Sequence, residues 1–177
     1  MLNDPTLPGL TDATALDELQ LLDTPTHLKS EELFNYWSTK LNGKTMPSRR
    51  DIDPIEIPTL LPDILLIDVD RTDKLRFKIR LAGTGVVHFI GKEPTGKYFE
   101  ELSAILPEGV GATLFDRWTR ICAHVCEHHK PTFVSIRHAD PARNHHIAHA
   151  AALPLTNEGT DVDQIFAVIT TELVDVT

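Results

Sequence analysis

Residues Pro107–His129 read as one amphipathic helix, and that helix limits what the rest of the chain can be. At about 100° per residue, Val110, Leu114, Trp118, Ile121 and Val125 fall within one narrow stripe, and Asp116, Thr119, Arg120, Ala123 and Glu127 lie on the other side. A helix with one apolar face must lay it on another apolar layer. The flanking segments supply strands for that layer. Leu75, Phe77, Ile79 and Leu81 alternate with Arg76, Lys78 and Arg80, the period-two signature of a half-buried strand. Ile64–Asp70 is apolar and of strand length, and the polar turn Asp70–Lys74 joins the two as a hairpin. After the helix come three more strand segments, Thr132–His138, His146–Leu155 and Gln164–Leu173. Asp140-Pro141-Ala142-Arg143 and Asn157-Glu158-Gly159 carry turn chemistry between them.

The N-terminal third is less regular. Residues 1–12 are rich in Pro, Asp and Thr and read as a loose tail; Ala13–Leu22 reads as a short helix ended near Pro25. A better helix follows, with Ser30 as N-cap, Glu31 and Glu32 at the positive end of the dipole, and Gly43 as the C-cap glycine. Its apolar stripe is Leu33, Phe34, Trp37 and Leu41. Lys44–Pro54 is a shaped loop, and Ile55–Pro62 holds a helical turn between prolines. Between the hairpin and the long helix, four glycines and Pro94 leave room only for short helices at Val86–Ile90 and Tyr98–Leu102.

At 177 residues the chain fits one domain, since domains run to roughly 100–200 residues. Division into a tail with a short helix over 1–29 and a single domain over 30–177 is the expectation. Lys and Arg total 17 against 26 Asp and Glu, a net charge of −9, which argues against a nucleic-acid surface and against anionic membranes. No stretch approaches the ~18 apolar residues of a membrane span, and the N-terminus lacks the basic flank and apolar run of a signal peptide. Two cysteines make no secreted disulfide framework, so a cytoplasmic location is expected.

The element order is helix, two strands, short helices, a long helix and three strands. The local text is more specific. Met46-Pro47-Ser48-Arg49-Arg50-Asp51-Ile52-Asp53-Pro54-Ile55-Glu56-Ile57-Pro58 leads into Leu60-Leu61-Pro62 and Leu66-Ile67-Asp68-Val69. Then come Arg76-Phe77-Lys78-Ile79-Arg80-Leu81-Ala82-Gly83-Thr84, and later Gly91 and Thr95-Gly96-Lys97. This text resembles a bacterial family of small, mostly stand-alone PAS-domain proteins, in detail over about residues 33–103 and more loosely over 104–173. The resemblance implies a mixed α/β (α+β) fold: a five-stranded antiparallel sheet, helices on one face, and here an N-terminal helical extension. That extension packs on the sheet's open face or pairs with a second subunit. The stripe Leu33, Trp37 and Leu41 motivates a homodimer.

His124 and His128 lie roughly half a helical turn from Cys122 and Cys126, so those four form no zinc site. His145 and His149 share a strand face but lie about 13 Å apart at ~3.3 Å per residue. No metal ligand set is assigned. His128 and His129 lie near the edges of the core stripe, which opens a haem-ligand reading beside a capping one. Cys122 and Cys126 read as packing residues. Gly83-Thr84-Gly85 and Gly91–Lys97 lack the endings of nucleotide-binding loops, and no catalytic residue is assigned. Asp51 and Asp53 alternate near the motif and could form a polar cluster with Arg49 and Arg50, but they read as structural residues.

The resemblance implies a ligand cavity between the long helix and the sheet, with Phe77, Ile79, Leu114, Trp118, Ile121 and Val125 as its candidate lining. The expected function is a non-catalytic sensory or regulatory domain that binds a small molecule or a signalling protein, with no cofactor identified. The alternatives are a ligand-free interaction module and a haem- or metal-binding sensor using helix histidines.

Overall fold

The computed structural model describes residues 17–174. Helix α1 spans Leu28–Thr39, α2 Thr84–Ile90, α3 Phe99–Ile105 and α4 Val110–His128. Strands β1 (Ile64–Asp70), β2 (Arg76–Ala82), β3 (Thr132–Arg137), β4 (His146–Leu155) and β5 (Gln164–Leu173) form one antiparallel sheet in the order β2-β1-β5-β4-β3. The β-branched and aromatic strands and the amphipathic α4 appear where the sequence puts them, within a few residues.

Both faces of the sheet are covered. α4 lays Leu114, Trp118, Ile121 and Val125 on the face that carries Val134, Ile136, Ala148, Ala150 and Ile169. The opposite face, with Phe133, Ser135, His149, Leu155, Phe166 and Leu66, is covered by the N-terminal segment. Trp37 is buried there, its Nε1–H donating to the Pro154 carbonyl at 2.9 Å, and Phe34 meets Phe133 edge-on at 5.4 Å. The stripe expected to pair two subunits is therefore consumed within the chain: Leu33 and Trp37 are buried and Leu41 is partly covered.

Other expectations for this region are corrected. Residues 17–22, the described part of the expected Ala13–Leu22 helix, are not helical; Leu22 instead forms a bridge with Phe133. The loose tail over 1–12 lies outside the described residues. His27, not Ser30, caps α1, its Nδ1 accepting from the Lys29 N–H at 3.2 Å, and Ser30 is buried in the first turn of the helix. The helix ends at Lys40, and Gly43 serves the turn beyond it at φ +80°.

A β-bulge corrects the reading of the second strand. Ile67 faces Ile79 and Leu66 faces Leu81, so Arg80 is the extra residue. One extra residue reverses the alternation. Leu81 leaves the side of Phe77 and Ile79 and joins Leu66 on the other face, 48% exposed.

Both sheet edges are shielded. Ile79 exchanges backbone bonds with Lys97 and Gly96 beside β2, and Leu22 does so with Phe133 on β3. Blocked edges disfavour strand addition by another chain.

Candidate functional site

The space between α4 and the sheet is almost filled. Leu114, Trp118 and Ile121 line a cavity of only 30 Å³, room for water and not for an organic ligand. Phe77, Ile79 and Val125 are buried but do not line it. Phe77 packs on Phe99 at 5.6 Å, and Phe99 on Phe115 at 5.2 Å. The strand order explains the split. β2 and β3 are opposite edges of the sheet, so side chains of β2 cannot share a void under β3 and β4.

The larger apolar space lies on the other face. A cleft of 360 Å³ is floored by Ile64, Leu66, Leu155 and Phe166 and walled by Ile52 and Ile57. The bulge at Arg80 brings Leu81 to its rim. The wall comes from the proline-punctuated motif. Proline fixes φ and starts tight turns, and 3-10 turns form at Pro54–Glu56 and Leu61–Asp63. Ser48 bridges Thr156, with Arg49 N–H donating to the Thr156 carbonyl at 2.8 Å, which ties the motif to the end of β4.

The motif's acids serve as caps. The Asp51 carboxylate accepts from the Ser48 N–H at 2.9 Å, and Asp53 from the Ile55 N–H at 3.0 Å. Arg50 pairs with Glu158 at the surface. Arg49 pairs with no carboxylate among the described residues and lies where the apolar cleft meets a wider polar one with Asp68, Arg80, Asp163 and Gln164. There the Gln164 Nε2–H donates to Asp68 at 2.7 Å, and its buried Oε1 has no partner among the described residues. Sequence reading saw this motif but could not separate Arg49 from Arg50, because the difference lies in which one finds Glu158.

A buried polar chain lies on the same face. Ser135 Oγ and His149 Nδ1 are 2.7 Å apart, His149 Nε2 meets Glu172 at 3.2 Å, Thr26 bonds Ser135, and the His27 ring stacks on His149 at 4.8 Å. Ser, His and Glu here follow the order of a hydrolytic triad. The Ser135 hydroxyl is closed off, however, with Ser135 and His149 only 5% and 3% exposed. Burial, and next the neighbouring His27, push the His149 pKa down, against the pull of Glu172. His138 and His124 are also lowered, chiefly by burial. A histidine lowered in the fold stabilises it above its unfolded pKa of about 6.5, and that stability is lost as pH falls through the folded value. The melting temperature is therefore expected to hold from pH 8 to 7 and to fall between pH 6.5 and 5.5. A flat profile across that window would contradict the buried neutral network.

The remaining candidates separate. His124 and His128 stack at 4.1 Å on the outer side of α4, and among the described residues no three His, Cys, Asp or Glu side chains converge. His128 and His129 are exposed at the end of α4, where His129 is the C-cap at φ +53°; neither faces the core as a haem ligand would. Burial pushes the Cys126 thiol up to about 11 and raises the Cys122 thiol well above its ordinary value, so both are protonated at neutral pH.

A family model described as PAS domain matches residues 25–170. Comparison with curated proteins and with solved structures gives no match.

Proposed function

The chain belongs to the PAS domain family, a family of sensory modules, and from that premise we propose that it is a non-catalytic regulatory domain whose ligand sits in the outer-face cleft. The carrying observation is the contrast in volume: 360 Å³ between the motif and the sheet, against 30 Å³ beneath α4. The first value falls within the roughly 300–1,000 Å³ of small-molecule pockets. The lining suits an apolar molecule with a polar group near Arg49. The wall that an occupant touches, Ile52 and Ile57, lies between α1 and β1. An occupant that binds one arrangement of this wall better than another shifts the domain toward it, and a signalling partner reads the shift.

This reading takes residues 30–177 as one domain acting in the cytoplasm, preceded by residues 1–29, of which Leu22 and His27 pack on the sheet. Two protonated, unpaired cysteines favour that setting, and among the described residues no helix is long and apolar enough to cross a membrane. The net charge of −9 favours a partner other than nucleic acid. A second reading, a ligand-free interaction module, draws on the exposed apolar residues Ile55, Leu61 and Leu81 around the cleft.

The test is titration with the neutral apolar dye Nile red. One saturable site per chain is expected, and Leu81→Trp, at the half-exposed rim, should close it without unfolding the protein. Absence of saturable binding, or binding unchanged by Leu81→Trp, would overturn the cleft as the ligand site.

A further inference from the structure

On the helix-bearing face, at the end of the sheet where β3 turns into β4, lies a separate pocket of 200 Å³. Its polar lining is His88 of α2, His138, Arg143, His146 and Thr171, with no carboxylate side chain among them. That is a local concentration of donors in a chain of net charge −9. The turn chemistry builds it. His138 N–H donates to the His146 carbonyl at 3.0 Å, closing β3 onto β4. Asp140 then caps a 3-10 turn by accepting from the Ala142 N–H at 2.9 Å, and Arg143 ends that turn.

His138 brings an unpaired donor to this pocket. It is 8% exposed, with Phe89 edge-on against its ring at 4.8 Å. Its Nδ1 accepts from the Asp140 N–H at 3.0 Å, so in the neutral ring the proton sits on Nε2. That Nε2 is buried and has no acceptor among the described residues. Buried donors are rarely left unpaired, and His138 lines this pocket beside Arg143, so an acceptor from outside the chain would pair its Nε2–H. Arg143 makes no ion pair with the carboxylates of the described residues.

We propose that this pocket binds a small oxyanion, a carboxylate- or phosphate-bearing molecule held by Arg143 and the His138 Nε2–H. The site lies on the opposite face of the sheet from the apolar cleft, so it stands or falls separately from that cleft.

Calorimetric titration of the full chain with inorganic phosphate and, separately, with succinate tests it and distinguishes the two sources of the oxyanion. One of the two should bind at one per chain. Arg143→Ala should weaken that binding about tenfold or more, the usual scale for a lost charged hydrogen bond. His138→Asn places an amide oxygen to accept the Asp140 N–H but removes the Nε2–H, and it should weaken binding similarly. Leu81→Trp should leave it unchanged. If His138→Asn fails to fold, Arg143→Ala, on a surface turn, decides alone. No binding of either anion at millimolar concentration, or binding indifferent to Arg143→Ala, overturns the site.

Discussion

Gly83→Ala is expected to destabilise the protein by about 3 kcal/mol or more, lowering the melting temperature by roughly 6–12 °C. The cause is collision, since the backbone there has an ordinary φ of −67°. A Cβ on Gly83 would lie 2.2 Å from the Leu61 carbonyl oxygen and 2.3 Å from that of Pro62. Both are backbone atoms of the turn that feeds β1, so no side chain can rotate away. Gly83 also donates its N–H to the Ile64 carbonyl at 2.8 Å and caps α2. Any relief therefore moves β1, β2 or α2. Gly43→Ala is the control. Gly43 has φ +80° and open space around its Cα, so alanine there costs only the left-handed strain, about 1 kcal/mol. Thermal melts of the two variants check the difference. Equal, small losses would contradict the packing of the Leu61–Asp63 turn against Gly83.

Trp37→Ala is expected to cost about 3–5 kcal/mol, the usual range for removing a buried aromatic. Trp37 is 3% exposed. It also satisfies the carbonyl of Pro154, a residue beyond the last β3–β4 pair, Thr132 with Ala152. Losing the indole leaves a void and an unpaired acceptor together. The effect should reach past stability. α1 leads into the wall of the cleft, so hydrogen exchange should quicken across residues 28–63 while β3 and α4 keep their protection. Denaturant unfolding measures the first effect and exchange the second. A loss under about 1 kcal/mol would mean that α1 is an appendage and not a layer of the domain.

The parts of this fold that announce themselves in sequence are those with a strong period. α4 and the strands Ile64–Asp70, His146–Leu155 and Gln164–Leu173 carry runs whose burial needs no partner to be guessed. The misreadings share one origin: geometry set by something distant in sequence. Ser30 has the chemistry of an N-cap, yet the helix starts earlier, capped by His27, whose ring stacks on His149 far along the chain. Leu81 fits the alternation of its strand until the bulge at Arg80, which only the pairing with β1 reveals. The residues expected to line one cavity divide for the same reason. Leu114, Trp118 and Ile121 do share a void, but whether a void is filled depends on Val134, Ile136 and Ala150, which arrive from strands far along the chain. In the motif, Asp51 and Asp53 were legible as structural residues, and their part as caps emerges only with the turns they close. The position of Arg49 at the mouth of a cleft was not, because the cleft's floor is Leu66, Leu155 and Phe166.

The most direct test of the outer-face cleft is native mass spectrometry of the freshly purified full chain beside its Leu81→Trp variant. The account predicts a reproducible non-covalent added mass on the parent protein that the variant lacks. A parent of bare chain mass, or the same added mass retained by the variant, would contradict it.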